Sequence, residues 1–283
     1  MNTIEKLLRG SIDMHCHHGP DSLTEGRVDA LQAARQAQEA GMRAIVLKNF
    51  VYPTAPLAYI VSQVIPGITV LGSICLDFEI GGLNTHALEA SAKLGARVVW
   101  MPTLSSLNDK RKNGLAEPGI TIFDGESKLV PVVGEILDII KSHQMVLATG
   151  HLSAPEAFAL VDEARRKGIS KIVVTHPLEE RVGAHLSLEE QQQMADKGAI
   201  IEYCFCATLP LSMRQDPMKI VEAVRTVGAE RSIMSTDLGI QVYYPPPAEG
   251  MRMAIATMLT CGLNEKEIEL LIKVNPAKLL GLN

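Results

Sequence analysis

The feature that most constrains this chain is an alternation. Short, β-branched, continuously apolar runs are separated by longer amphipathic stretches. A first run at Ser11–Met14 is followed by the helical pattern VDALQAARQAQEAG, which closes at Gly41, and then by RAIVLKN at 43–49. The couplet returns along the whole chain. APLAYIVSQVI precedes ITVLGSICLD, NTHALEASAKLG precedes ARVVWMPT, residues 132–143 precede QMVLATG, and APEAFALVDEARRKG precedes SKIVVT. Residues 187–197 then precede AIIEYCF, 216–227 precede RSIMST, and a final helix pair closes the chain. Apolar runs without polar alternation read as strands buried on both faces, as a parallel sheet covered by helices requires. Eight strand–helix couplets over this length predict an α/β fold, a single (β/α)8 TIM-like barrel domain over residues 1–283. A doubly wound open sheet is the rival, but no G-x-G-x-x-G follows the first strand.

The rhythm breaks once, at 103–130 after strand four. That stretch is polar, contains NDKRKNG, and ends in ITIFDGESKLV, which reads as a small hairpin turning at Asp124–Gly125. It is expected to be an insertion that acts as a lid or a contact surface. The run DKRKN at 109–113 reads as a solvated loop face, with contact to a second copy of the chain (a homo-oligomer) as the sharper alternative.

Composition narrows the partners. The net charge is −5 and no basic patch stands out, which argues against nucleic acid and anionic membranes. No apolar run is long enough to span a bilayer, and MNTIEKLLRG lacks a signal-peptide core. Five cysteines without a framework fit a reducing cytoplasm. The expected partner is a small-molecule substrate.

In a barrel of this kind chemistry sits at the carboxyl ends of the strands. His15 and His17 stand two apart at the end of strand one, so both face one way while Cys16 and His18 point elsewhere. Strand two ends in Lys48 and Asn49, strand five in TGH with His151, strand six in THP with His176, and strand eight in STD with Asp237. Nitrogen and oxygen ligands converging from four strands form a site for a divalent metal: zinc first, then manganese, iron or nickel. Such a metal activates a water, and Asp237 accepts its proton. Each piece alone is weak, because histidines near strand ends are common. The signal lies in their falling at one height of one barrel.

These residues resemble the amidohydrolase superfamily. The resemblance rests on DMHCHHGPD, TGH at 149–151, THP at 175–177, STD at 235–237 and the tail VNPAKLLGL, and it covers essentially the whole chain. It implies a TIM-like barrel holding one or two divalent metals, in the compact branch without a flanking β-sandwich. By that resemblance His15, His17 and Asp237 hold the more buried metal. His151 and His176 hold a second, or share ligation and polarise the substrate, and Asp237 is the general base. Two-metal relatives take a carboxylated lysine or a glutamate from strand four as a bridge, whereas strand four here ends VVWMPT. Lys48 is a candidate bridge if carboxylated, a cation for a substrate carboxylate or phosphate if not, or simply a lysine at the rim. Glu79 is a second bridge candidate, though a loop cap suits it better.

Other positions carry two readings each. Thr103 is a candidate for the pocket lining. Arg181 is placed either to grip an anionic substrate or to sit on the surface beside Glu179 and Glu180. Glu202, Cys204 and Cys206 alternate along strand seven and share a face. His18 reads as backbone-bonded or solvated, His185 as no ligand, and His86 and His143 as structural. YYPPP at 243–247 is a stiff wall.

The leading reading is a metal-dependent hydrolase of a small substrate, cleaving an amide, lactone, ester or cyclic imide. A mononuclear decarboxylase or hydratase of a small carboxylic acid is the alternative. A histidinol-phosphatase-like phosphoesterase and a non-catalytic metal-binding barrel stand behind it.

Overall fold

The computed structural model describes residues 2–282. Its strands are β1 (Ile12–His17), β2 (Ala44–Lys48), β3 (Thr69–Cys75), β4 (Ala96–Trp100), β5 (Val146–Ala148), β6 (Ile172–Thr175), β7 (Ile200–Cys204) and β8 (Ser232–Ser235). They pair in chain order, all parallel. The ring closes where β8 runs out. Asp237 N donates to His15 O at 2.9 Å, and His17 N to Leu238 O at 2.9 Å. Asp13 ties the same seam, accepting from Thr236 N at 3.0 Å and from Thr236 Oγ1 at 2.5 Å. This is the expected (β/α)8 barrel.

Alternation along the strands sorts the core into two layers. Ile12, Met14, Val46, Cys75, Val98, Trp100, Val146, Val173 and Ile233 fill the interior, while Ile45, Leu47, Ile74, Val99, Leu147 and Val174 pack against the helices. The tail has a specific task at the amino end of the barrel. In the helix Asn275–Leu280, Ala277, Leu279 and Leu280 join the interior cluster. Asn275 Nδ2 donates to Ala229 O at 2.8 Å and to Ser232 O at 2.7 Å, ahead of and at the start of β8.

Three local expectations change. The first strand reaches His17 rather than stopping at Met14, so the histidine pair lies within a strand. A short helix, Thr3–Leu8, precedes it and buries Leu7 and Leu8. The insertion after β4 does hold a small antiparallel turn, with Phe123 bridging Leu129 and Asp124 N donating to Lys128 O at 2.8 Å. The run DKRKN, however, is no loop. Leu107–Lys112 is a helix capped by Ser106, and Asp109 on it is buried. Among the described residues, no helix is long and apolar enough to cross a membrane.

Candidate metal centre

The first strand delivers its histidines by an irregularity. Asp13 pairs with Ile45 and Cys16 with Leu47, so β1 holds one residue more than β2 between those points. Such a bulge lets Met14 fill the interior while His15 and His17 still look inward above it. Cys16 turns outward into the helix-facing core, as alternation demands.

At the carboxyl mouth two imidazole nitrogens meet one carboxylate oxygen. His15 Nε2 lies 2.9 Å and His17 Nε2 3.0 Å from Asp237 Oδ1. Asp237 Oδ2 lies 3.8 Å from His176 Nε2. The His15 and His176 rings are 5.6 Å apart, and His151 stands edge-on to His176 at 5.1 Å. All four imidazoles are buried, while the Asp237 side chain keeps 19% of its surface exposed, so the carboxylate is the part of the group that faces the solvent. His176 and Asp237 both adopt φ of 53°, a left-handed conformation rare outside glycine. Residues held there against their preference are typical of sites that the surrounding fold over-determines. Gly183 makes room for one of them, since a Cβ at that position would sit 2.5 Å from the His176 Cβ.

Three of the imidazoles have a carboxylate on the Nδ1 side. Glu202 Oε1 lies 3.5 Å from His15 Nδ1, Asp109 Oδ1 2.8 Å from His151 Nδ1, and Glu179 Oε1 3.4 Å from His176 Nδ1. A carboxylate at one ring nitrogen favours the proton there, which in the neutral ring leaves Nε2 free as a donor to a metal. The set therefore fits a divalent cation. The donor atoms of His15, His17 and Asp237 lie within 4.8 Å of one another, as do those of His15, His176 and Cys204. Imidazole nitrogens with a carboxylate oxygen suit zinc and its neighbours.

Lys48 complicates the picture. It is buried, lies 5.0 Å from the centres of the Phe50 and Trp100 rings, and points Nζ at His15 Nε2 from 2.9 Å. Nε2 is also the atom a metal would use, and it serves one cation at a time.

The charges follow from these contacts. Burial and Lys48 both push His15 down, but Asp237 and Glu202 outweigh them and raise it to about 9. Burial takes His17 down to about 3 and His151 to about 4, so both are neutral imidazoles at pH 7. Burial alone would raise Asp237, yet His15, His17 and His176 hold it well below the usual carboxylate range.

The structure brings His15, His17, His151, His176, Asp237 and Lys48 together and leaves two candidates outside. Thr103 is fully buried, and its hydroxyl and amide both donate to Asp77, so it braces the β3 and β4 ends rather than offering donors to a ligand. Arg181 is exposed on a cleft of about 750 Å³ between the loops after β6 and β7, with Leu178, Leu211 and Arg214. Glu79 is exposed in a one-turn helix, an unsuitable place for a bridge. Its neighbour Asp77 is the buried acid. Glu202 and Cys204 do face the interior, Cys204 Sγ standing 3.8 Å from His15 Nδ1. His18 is backbone-bonded, its Nδ1 3.0 Å from Gly19 O. His86 and His185 are exposed, and His143 pairs with Glu89 at 3.2 Å near the surface.

Two residues that stand against the histidines escaped the sequence reading, Asp109 and Glu179, both taken for surface charges. For Asp109 a signal existed: Ser106-Leu-Asn-Asp109 is a Ser-x-x-Asp helix start. Nothing in the sequence marks Glu179, which accepts from Leu178 N at 3.0 Å as well as facing His176.

A profile described as a family of unknown function, DUF6282, matches residues 10–202. The chain belongs to this family. No curated protein matches the DUF6282 chain in sequence. Solved structures do match its fold. The probable dipeptidase PvdM from Pseudomonas aeruginosa is 14% identical with a TM-score of 0.69, covering 98% of this chain and 96% of that one. The lactonase Lmo2620 from Listeria monocytogenes is 12% identical with a TM-score of 0.66, covering 99% and 96%. A 2,6-dihydroxybenzoate decarboxylase is 11% identical with a TM-score of 0.62, covering 97% and 100%. This DUF6282 member thus shares its barrel fold with these enzymes. At these identities the likeness is one of fold.

Proposed function

We propose that this DUF6282 protein is a metal-dependent hydrolase of a small molecule, acting on a C–N or C–O bond of an amide, lactone, ester or cyclic imide. The observation that carries the reading is the meeting of His15 Nε2, His17 Nε2 and Asp237 Oδ1 at 2.9 and 3.0 Å in the barrel mouth. Two imidazole nitrogens and a carboxylate oxygen brought this close are a donor set that suits a divalent cation. The residues that would hold a divalent metal, zinc first, are His15, His17 and Asp237, with His151 and His176 as the second pair. Once bound, it supplies a Lewis acid for the carbonyl oxygen and lowers the pKa of a water.

The chain's own groups do the rest. Asp237, the partly exposed member of the group, accepts the proton of the attacking water and returns it to the leaving group. In a one-metal site His176 Nε2, 3.8 Å from Asp237 Oδ2, would polarise the substrate carbonyl as an N–H donor, that is, only where it does not ligate. Lys48 leaves His15 Nε2 in one of two ways. As a carbamate it joins the ligands, and as an ammonium it turns to an anionic group of the substrate. An intact mass raised by one CO2 in bicarbonate marks the first, and an unchanged mass the second.

One observation favours a second reading, a mononuclear decarboxylase or hydratase of a small carboxylic acid. The inward end of β4 is Trp100, packed 5.3 Å from the His15 ring, so β4 brings no bridging carboxylate.

Metal content per chain decides the matter, measured by mass spectrometry on protein purified without chelators, with His176→Ala and Asp237→Ala alongside. We expect at least one divalent metal per chain, and loss of turnover in Asp237→Ala with the fold intact. A panel of lactones, amides and esters, followed in parallel with CO2 release, separates the two reactions. Metal-free protein that regains no metal would sink both.

A further inference from the structure

The insertion after β4 is built into the site. Its helix, Leu107–Lys112, begins at Ser106, whose hydroxyl accepts from Asp109 N and donates to His151 O, each at 3.0 Å. Asn108 Nδ2 donates to the same His151 carbonyl at 2.9 Å and to Gly183 O at 2.8 Å. Lys112 Nζ reaches Gly183 O at 2.9 Å, and Asn113 Nδ2 reaches Arg181 O at 3.1 Å. Gly183 in turn lies against His176. One six-residue helix therefore grips the backbone of His151 and the loop that carries His176, whose rings stand 5.1 Å apart.

The segment is itself held fast, unlike a lid. Leu107 N donates to Ile120 O and Ile120 N to Ser105 O, both at 2.7 Å. Farther along, Thr121 Oγ1 and Ile122 N donate to the buried carboxylate of Glu156 at 2.5 and 3.1 Å. From this anchored base Asp109 reaches the imidazole. Its Oδ1 lies 2.8 Å from His151 Nδ1, with only 7% and 5% of the two side chains exposed. Asn113 Nδ2 approaches the other oxygen at 3.4 Å.

We propose that Asp109 is a positioning residue: it holds His151 in the tautomer and orientation that turn Nε2 to the metal centre, which makes the insertion a structural part of the cage. A buried imidazole backed by a fixed carboxylate loses its ring-flip and tautomer freedom before a metal arrives, and removing such a backing group commonly costs 10–100-fold in metal affinity. The inference rests on the metal-dependent reading, and its test keeps the two apart.

The test uses the full-length chain stripped of metal, as wild type, Asp109→Ala and Asp109→Asn. Zinc affinity is measured by competition with a chromophoric chelator, and the His151 tautomer by long-range 1H–15N correlation, assigned with His151→Gln. Circular dichroism checks the fold. In the wild type we expect the His151 proton on Nδ1. In Asp109→Ala we expect mixed tautomers and zinc affinity down by about 10–100-fold. Asp109→Asn, which keeps an acceptor oxygen, should retain most of both. Zinc affinity within twofold of wild type in a folded Asp109→Ala overturns the proposal and leaves the metal reading standing. Should that variant not fold, the wild-type spectrum decides, because a proton on His151 Nε2 overturns the proposal. A wild-type chain that binds no zinc overturns the metal reading, and this inference with it.

Discussion

Metal binding to this site should release one proton at neutral pH, and the proton comes from His15. In the metal-free chain Asp237 and Glu202 flank that ring closely enough to hold its pKa at about 9, against burial and Lys48. A metal must take Nε2, so the imidazolium gives up one of its two protons to free it. His17 and His151, lowered by burial to about 3 and 4, are already neutral and add nothing at pH 7. The sign is therefore fixed: affinity rises as the pH rises toward 9 and levels off above it. Each pH unit below 9 weakens binding about tenfold, so pH 7 lies about 100-fold, or roughly 2.7 kcal/mol, below the plateau. Calorimetry of zinc binding in two buffers of different protonation enthalpy counts the proton directly. The affinity itself, followed from pH 6 to 9, gives the slope. Binding at pH 7 without proton release, or affinity flat across that range, would refute the reasoning and remove His15 from the ligands.

The remaining predictions concern the frame around the site. Asn275→Ala loses two buried hydrogen bonds at the closed end of the barrel and should cost about 2–3 kcal/mol in urea unfolding while leaving zinc affinity unchanged. Gly239→Ala would put a Cβ 1.9 Å from His17 O at φ of 110°, so it should open the β1–β8 seam and lower both stability and metal affinity. Loss of stability alone would show that His17 does not depend on the seam. The metal-free protein should become less stable as pH falls from 6.5 toward 4. His17 and His151 have folded pKa values below their ordinary one, so unfolding takes up protons there. His18, also lowered by burial, adds to them, while Asp13, raised by burial to about 6, and Asp77, raised as well, work the other way. Urea unfolding at pH 7, 5 and 4 measures the slope, which should flatten in His151→Gln.

Much of this was legible in the sequence because barrel strands are unambiguous. A run such as RAIVLKN, apolar on both faces, fits few places other than a covered parallel sheet. Once eight such runs are counted, their carboxyl ends mark the mouth, and His15, His17, His151, His176 and Asp237 fall there. The misses have a common physical origin. The extra residue in β1 leaves no mark in composition, since Met14 and His15 look inward for different reasons. The helix Leu107–Lys112 is short and almost wholly polar, so its pattern resembles a solvated loop. Only the tertiary contact with His151 buries Asp109. Thr103 stands at the right height but turns sideways, because Asp77, a buried acid on the neighbouring strand's end, attracts both its donors. In the cases of Asp109 and Thr103 a polar side chain was placed by a partner distant in sequence, which periodicity does not register.

The charges inside the mouth bear on why a cation belongs there at all. Asp237, Glu202, Glu179 and Asp109 all reach an imidazole within 3.5 Å, and Lys48 Nζ reaches one at 2.9 Å. Four carboxylates thus surround one ammonium among rings that have little access to water. A proton on His15 takes up one further negative charge and leaves the group still short of positive charge. Uncompensated buried charge is costly, and a fold keeps it only where something repays the cost. A divalent cation held by His15, His17 and Asp237 would supply the missing charge where these side chains converge. It also explains why each backing carboxylate stands at Nδ1, on the far side of its ring. Were the cluster merely structural, the acids would satisfy the rings from either nitrogen; here His15, His151 and His176 all leave Nε2 for the mouth.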